Sequence, residues 1–214
     1  MKVLLVNGSP HKSGNTSEVL EAAAKYLNEE GIETEVFWIG AKPIGGCIAC
    51  YQCMEKGKCV FDDSVNAFVA KAADADGFIF GTPVYFASMA GSMSSFMDRA
   101  FYSAAMSGQE ESFRFKPAAS LITARRAGTT ATYDQMKKYF GISQMPIIST
   151  RYWNMVHGGG PADPKAVYQD EEGIQMVRML AKNMAYHLKC KEAGAEKGIL
   201  PPKQEEVTYT NFIR

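Results

Sequence analysis

The sequence predicts an α/β protein whose parallel sheet is covered by helices on both faces. Five short apolar runs alternate with longer segments of helical periodicity. The runs are nearly continuous in apolar residues, which is typical of strands buried on both faces. A chain of 214 residues is long enough to bury a substantial core as one domain. Right-handed crossovers follow. In such folds ligands bind beyond the carboxyl ends of the strands, near the switch in strand order.

Each predicted strand is a short apolar run bounded by turn residues. The first ends in Asn7-Gly8-Ser9-Pro10, the second holds Val36-Phe37-Trp38, and the third stops at Thr82-Pro83. Gly, Pro, Ser and Asn favour turns, so they mark the points where the strands leave the sheet. In chain order the predicted strands cover residues 2–6, 34–39, 77–81, 118–123 and 146–149.

The predicted helices fill the gaps between these strands. The first places five apolar residues on one face and stops at Gly31, and Asp63-Ser64 is a good cap for the second. In chain order the predicted helices cover residues 16–30, 63–73, 89–106, 130–140 and 170–190. We therefore expect one domain over residues 1–194, with a cysteine-rich insertion loop at 43–62 and a tail at 195–214.

Charge and hydropathy exclude several functional classes. Lys plus Arg equals Asp plus Glu at 23 each, so the net charge gives no reason to expect nucleic acid or an anionic membrane as partner. No run of about 18 apolar residues is present. The apolar run at the N-terminus is too short for a signal peptide. We therefore expect a cytoplasmic protein whose thiols are kept reduced.

Four of the five cysteines fall within thirteen residues, in the pattern C-x2-C-x2-C-x5-C. The four are Cys47, Cys50, Cys53 and Cys59. Four thiols this close form a local ligand set for a soft metal centre, and an iron–sulfur cluster is the most natural occupant. A helix would spread the first three over about 9 Å of its axis, so we expect a loop there. Gly45, Gly46 and Gly57 favour the turns it needs.

Two other interpretations of these cysteines stay open. A structural zinc site also uses four thiolates, but it usually takes them as two separated C-x2-C pairs. Alternatively, the thiols hold no metal or form a transient disulfide. The residues alone do not decide among cluster, zinc and free thiols.

Three strand-end loops carry residues suited to an anionic, planar ligand. The first, residues 8–17, is rich in Ser, Thr, Asn and Gly and leads into a helix N-terminus, where backbone N–H groups attract an anion. It matches neither the dinucleotide nor the Walker A pattern, so a single phosphate is the better candidate. The second, residues 81–89, places Tyr85 and Phe86 beside such a ligand. The third, residues 123–130, adds Arg125 and Arg126.

Together these segments resemble the flavodoxin-like NADPH-dependent FMN reductase superfamily, and within it the iron–sulfur flavoproteins of anaerobic archaea and bacteria. The likeness covers nearly the whole chain. It lies in Gly8-Ser9-Pro10 with Gly14-Asn15-Thr16-Ser17, the cysteine motif, Thr82-Pro83-Val84-Tyr85-Phe86, residues 143–146, residues 152–158 and the closing residues 210–214.

The resemblance implies a three-layer sandwich with five parallel strands in the order 2-1-3-4-5, and FMN plus a 4Fe-4S cluster as cofactors. The phosphate would be held by Ser9, His11, Ser13, Asn15, Thr16 and Ser17. The isoalloxazine would lie against Thr82, Pro83, Val84, Tyr85, Phe86, Thr123, Arg125, Arg126 and Gly128. The cluster would be bound by Cys47, Cys50, Cys53 and Cys59. Ala87 stands where relatives often carry Gly, so a positive φ there would restrict the loop.

The function expected from the resemblance is electron transfer between an iron–sulfur cluster and FMN, with NAD(P)H or a ferredoxin as electron donor. Two alternatives are a cluster-free NAD(P)H-dependent FMN reductase acting on flavin or quinone-like acceptors, and a redox-sensing binding module. No side chain need act as an acid or base in electron transfer, so none is assigned a catalytic role. A second copy would shield both cofactors, and a homodimer or homotetramer is expected.

Overall fold

The computed structural model describes residues 1–160 and 162–212. The strands are β1 (Lys2–Asn7), β2 (Glu33–Trp38), β3 (Gly77–Tyr85), β4 (Ser88–Met89), β5 (Ala118–Ala124) and β6 (Met155–His157). The α-helices are α1 (Asn15–Glu29), α2 (Gln52–Lys56), α3 (Ser64–Ala73), α4 (Gly91–Met106), α5 (Thr129–Ile142) and α6 (Glu171–Glu196). Short 3₁₀ helices cover Glu110–Ser112 and Pro164–Gln169. None of the helices described is long and apolar enough to cross a bilayer.

The five parallel strands lie in the order β2-β1-β3-β5-β6, and β4 pairs antiparallel with the end of β3. Numbering the parallel strands alone gives 2-1-3-4-5, so the flavodoxin-like prediction is confirmed. Strand β1 pairs with β2 on one side and β3 on the other, with Val3 opposite Gly77. The carboxyl ends of β1, β3 and β5 therefore meet at one edge of the sheet.

Alternate residues of β1 enter two separate hydrophobic cores, which is why its whole run is apolar. Leu4 and Val6 face α3, α4 and α5 across a phenylalanine-rich core. Val3 and Leu5 face α1 and α6 on the other side. The aromatic core includes Phe68 and Phe96, whose ring centroids lie 5.0 Å apart. Burying apolar surface on both faces of the sheet holds the strand-end loops on a rigid base.

The prediction of a fifth strand at residues 146–149 is wrong. This segment makes only one isolated bridge, between Ala118 and Ile147. Pro146 has no N–H group to donate to a ladder, and the chain leaves the sheet after Ile148 N–H donates to the Ala118 carbonyl. The fifth parallel strand is instead β6, which pairs with the end of β5.

The cysteine loop and the C-terminus also differ in detail from the prediction. A short helix, α2, forms inside the loop and includes Cys53, although Cys47, Cys50 and Cys59 lie outside regular structure. Helix α6 runs to Glu196, two residues past the predicted domain end.

Candidate functional site

The loop after β1 is organised from within by two side chains that the sequence analysis did not select. The Asn7 carboxamide oxygen accepts from Ser9 N–H at 3.0 Å, and its nitrogen reaches the carbonyls of His11 and Lys12 at 3.5 and 3.4 Å. The Trp38 indole N–H donates to the Ser9 carbonyl at 2.9 Å. These bonds fix the loop beside the N-terminus of α1.

Three of the six residues predicted to hold phosphate lie in α1, and their side chains make hydrogen bonds within the chain. Ser17 Oγ accepts from Gly14 N–H and donates to the Gly14 carbonyl, both at 2.8 Å. Thr16 Oγ1 lies 2.8 Å from Thr123 Oγ1, with both residues buried. The Asn15 side chain contacts the loop after β6. What remains for an anion is the first-turn N–H groups of α1, which have no partner within the helix.

The other three predicted phosphate residues lie in the loop itself. Ser9 is buried and its Oγ accepts from His11 N–H at 3.1 Å, which leaves its own proton to donate. His11 and Ser13 are exposed at the helix start. The structure thus brings the six residues to one place, and their individual roles stay predictions.

The end of β3 turns back into β4 as a two-residue hairpin with an unusual conformation. Phe86 and Ala87 form the turn with φ angles of 51° and 57°. Two-residue hairpins favour positive φ at both positions, but Asn and Gly usually supply it. Each L-residue in this region costs about 1–2 kcal/mol. The expectation that Ala87 restricts the loop under positive φ therefore applies here.

Helix α5 and its preceding loop brace this hairpin. Gln135 Oε1 accepts from Ser88 Oγ at 2.9 Å and from Met89 N–H at 3.0 Å. Gly128 has a φ of 99°, and a Cβ there would lie 2.7 Å from the Ala87 Cα and 2.8 Å from Val84 Cγ1. The absence of a side chain at Gly128 thus lets the loop after β5 contact the hairpin directly.

The loop after β5 is also held from the β6 side. His157 Nε2 lies 3.0 Å from the Arg126 carbonyl, and His157 N–H donates to Asp170 Oδ2 at 2.7 Å. Arg125 and Arg126 are exposed. Thr82 is buried, with its Oγ1 donating to the Pro83 carbonyl at 3.1 Å.

The edge of the sheet at the carboxyl ends of β1, β3 and β5 suits a flavin mononucleotide in two respects. The N-terminus of α1 matches a phosphate, and the hairpin and the 124–128 loop offer a surface for a planar ring. Val84, Tyr85 and Phe86 line a shallow depression of about 540 Å³ beside this edge. The predicted loops therefore come together as one site, and the residues fit the group.

The four clustered cysteines line one cavity against α4. Its volume is about 20 Å³. Cys53 is buried and Cys59 is half-buried, whereas Cys47 and Cys50 are exposed, so the site is open on one side. Burial raises the pKa of the Cys53 thiol.

The backbone between the cysteines curls through left-handed conformations. Ala49 and Tyr51, on either side of Cys50, have φ angles of 51° and 57°. Non-glycine residues in this region are strained, and such strain clusters at functional sites. The curl replaces the regular helix that would have separated the sulfurs along its axis.

Cys59 is fixed at both its backbone and its sulfur. Asn66 accepts from Cys59 N–H at 3.0 Å and donates to its carbonyl at 2.9 Å. Arg99 Nε and Nη2 each lie 3.3 Å from Cys59 Sγ. Arg99 is buried and pairs with Asp63 at 2.6 Å. Burial lowers the pKa of Arg99, but the hydrogen bonds to Asp63 and Cys59 outweigh it and leave that pKa raised.

The chemistry of the donors bears on what the cysteine cavity can hold. Across residues 1–160 and 162–212, no three His, Cys, Asp or Glu side chains converge tightly enough to bind one metal ion. A polynuclear cluster spaces its thiolate ligands farther apart than a single ion does. Four soft thiols lining one cavity are the donor set that an iron–sulfur cluster takes.

Helix α4 joins the two sites. Near its start, the Met93 side chain packs directly against Gly8. A Cβ on Gly8 would lie only 2.5 Å from the Met93 sulfur. Two turns later, Arg99 and Tyr102 line the cysteine cavity. At about 1.5 Å per residue, Met93 and Arg99 are about 9 Å apart along the helix axis. The flavin-type edge and the cysteines are therefore held by one rigid element.

Comparison with known proteins gives a consistent result. The family model described as NADPH-dependent FMN reductase matches residues 1–160. An iron-sulfur flavoprotein of Methanocaldococcus jannaschii is 32% identical over 190 residues, covering 86% of this chain and 96% of that protein. RosB, solved with a bound 8-demethyl-8-formylriboflavin-5'-phosphate intermediate, superposes with a TM-score of 0.72 at 15% identity, covering 100% of this chain and 92% of that one. An archaeal flavodoxin superposes with a TM-score of 0.57 at 14% identity, covering 88% and 99%.

Proposed function

The chain belongs to the NADPH-dependent FMN reductase family, and on that premise we propose that it transfers electrons between an iron–sulfur cluster and FMN. As a member of this family it is an FMN-binding flavoprotein and an FMN-dependent oxidoreductase. The observation that supports electron transfer between a cluster and FMN is the cavity lined by four cysteines. This cavity lies against α4, the same helix that packs against the flavin-type edge.

The two cofactors supply complementary redox chemistry. FMN exchanges one or two electrons and a cluster exchanges one, so together they divide a two-electron input. The chain's own residues bind and orient them. In our proposal the first turn of α1, with Ser9, His11 and Ser13, binds the phosphate, and Asn15, Thr16 and Ser17 stabilise that turn. Cys47, Cys50, Cys53 and Cys59 ligate the cluster.

The isoalloxazine is proposed to lie between the hairpin and the loop after β5. The hairpin contributes Thr82 to Phe86, and the second loop contributes Thr123, Arg125, Arg126 and Gly128. Gln135 and His157 support these loops through the hydrogen bonds described above. The electron donor is a small redox partner, NAD(P)H or a ferredoxin.

We also propose that a second copy of the chain covers both sites. Apolar side chains are exposed around the open side of the cysteine cavity, with Ile48 63% and Tyr51 57% exposed. Phe86 at the tip of the hairpin is fully exposed. Burying these side chains against another subunit is favourable and would exclude water from the cofactors. Sedimentation of the anaerobic holoprotein as a monomer would contradict this assembly.

The cluster is tested by iron and acid-labile sulfide content after anaerobic purification and reconstitution. We expect broad visible absorbance that bleaches on reduction, superimposed on the structured flavin bands. Cys53→Ser should lose the iron and keep FMN, whereas Cys190→Ser is the matched control because Cys190 lies outside the motif on α6 and should keep both. A wild-type protein with FMN, no iron and rapid NADPH oxidation would instead establish the cluster-free reductase.

A further inference from the structure

We propose that Arg99 is a positioning residue for the cluster: its guanidinium fixes the Cys59 sulfur and raises the reduction potential of the centre. This inference rests on the proposed function. Its starting observation is a guanidinium whose side chain is only 1% exposed, pointing two of its nitrogens at one sulfur.

All three nitrogens of the guanidinium are engaged by the cysteine segment and its flank. Nε and Nη2 donate to Cys59 Sγ, and Nη1 and Nη2 donate to the two Asp63 oxygens at 2.6 and 3.0 Å. The fifth N–H, on Nη1, reaches the Gly45 carbonyl at 3.4 Å, and Nη2 also lies 3.4 Å from the Phe61 carbonyl. The guanidinium also lies 4.8 Å from the centre of the Phe61 ring. One side chain of α4 thus holds both ends of the cysteine segment.

This arrangement depends on the shape of the arginine head group. A guanidinium presents its N–H groups in a fixed planar fork, so it can contact a sulfur and a carboxylate at the same time. A lysine ammonium carries the same charge but cannot reproduce both paired contacts. Burying a charge is costly unless it is paired, and here Asp63 provides the carboxylate.

The contacts have two consequences for a cluster. Hydrogen bonds to ligand sulfurs and nearby positive charge favour the more negatively charged reduced form, so they raise the reduction potential. Groups that orient the ligands also control how tightly the metal is retained, typically by 10- to 100-fold. Because Asn66 bonds to the Cys59 backbone as well, Cys59 is held at both its backbone and its sulfur.

The experiment compares the reconstituted wild-type protein with Arg99→Lys and Arg99→Gln. Potentials are measured by redox titration followed by electron paramagnetic resonance, and cluster retention by the rate of iron transfer to a chelator. We expect the potential to move to more negative values and iron loss to accelerate about 10- to 100-fold, with Arg99→Lys intermediate. Arg178→Lys, in α6 against Tyr26, is the matched control and should change neither. Unchanged potentials in Arg99 variants that retain FMN would overturn the proposal.

A second measurement applies to the protein without iron, so that failure of the proposed function is separable from failure of this inference. Iodoacetamide labelling of Cys59 is quantified by peptide mapping, with the exposed Cys190 as internal reference. The labelling is done at about pH 10, where a thiol is already ionised, so that a change in thiolate fraction does not contribute. If Arg99 holds the sulfur, Arg99→Lys should then label Cys59 about 10-fold faster relative to Cys190, because the thiolate loses the charge-assisted hydrogen bonds that mask it. Equal labelling ratios in both proteins would overturn the positioning role, whether or not the wild type takes up iron.

Discussion

Thr16 and Thr123 share a buried hydrogen bond, with their Oγ1 atoms 2.8 Å apart, that joins the first turn of α1 to the end of β5. Removing one hydroxyl leaves the other unpaired in the core. Thr16→Val should therefore lower the free energy of unfolding by about 1–3 kcal/mol, measured by urea denaturation. The exposed Thr130→Val is the control and should stay within about 0.5 kcal/mol of wild type.

The double variant Thr16→Val/Thr123→Val gives the sharper test of this pair. Since it removes both polar groups, it should be no less stable than either single variant. Strictly additive losses would show that the two hydroxyls are not coupled.

Backbone strain at Ala87 predicts a substitution that stabilises the protein, whereas the threonine substitutions destabilise it. Its φ of 57° costs about 1–2 kcal/mol for an L-residue, and glycine avoids that cost while losing about 0.5–1 kcal/mol to chain entropy. Ala87→Gly should thus raise the free energy of unfolding by up to about 1.5 kcal/mol. The same change at Ala70, exposed within α3, should lower it by about 1 kcal/mol. Destabilisation at both positions would mean that the turn is unstrained.

The pKa of Tyr139 predicts how stability depends on pH under alkaline conditions. Burial, and then a hydrogen bond to Asp98, raise this pKa to about 12. The folded protein therefore keeps the phenol proton between about pH 10 and 12, where the unfolded chain has lost it. The stability that this proton contributes is complete below pH 10 and is lost as the pH rises towards 12.

We expect urea denaturation to show wild type losing stability relative to Tyr139→Phe across that window. Asp98→Asn removes the carboxylate that helps to raise the pKa of Tyr139. The pH range over which stability is lost should therefore end at a lower pH in this variant than in wild type. Parallel pH profiles for wild type and Tyr139→Phe would contradict the raised pKa.

Much of the sheet was predictable because its central strands β1, β3 and β5 are buried on both faces. Leu4 and Leu5 in β1 are both fully buried, and such continuous apolar runs stand out from the helical segments. Strand β6 has three residues and no run of its own, and it was missed because its position depends on non-local pairing with Ile122. Residues 146–149 have the composition of a strand, but Pro146 cannot complete the ladder.

The sequence indicated which loops meet at the candidate site, but it did not indicate the side-chain contacts that hold them there. The helix predicted over residues 89–106 begins at Gly91, since Met89 belongs to β4, and it ends at residue 106 as predicted. Helical periodicity does not reveal that Arg99 is buried within it. Its partners, Cys59 and Asp63, lie 40 and 36 residues earlier in the chain. Trp38 and His157 likewise form hydrogen bonds to backbone carbonyls that are distant in sequence, and local sequence patterns do not predict such bonds.

The Asn15 side chain has two candidate roles, binding phosphate and holding the loop after β6, and the sequence could not distinguish them. Its side-chain nitrogen donates to the carbonyls of Asp163 and Pro164 at 3.1 and 2.8 Å, and its oxygen accepts from Gly160 N–H at 3.1 Å. A Cβ on Gly158 would lie 2.7 Å from the Asn15 Cγ, so the loop after β6 packs closely on this side chain. The geometry predicts that Asn15 ties this loop to α1, rather than contacting phosphate through its amide.

Asn15→Ala should therefore lower the free energy of unfolding of the FMN-free protein by about 1–3 kcal/mol, because two or three partly buried hydrogen bonds are lost. Ser13→Ala is the matched variant in the same loop. Since Ser13 is exposed, its loss should leave that free energy within about 0.5 kcal/mol and should instead weaken FMN binding, measured by quenching of flavin fluorescence. The reverse pattern, with an unchanged FMN-free protein and weaker FMN binding in Asn15→Ala, would make Asn15 a direct phosphate ligand.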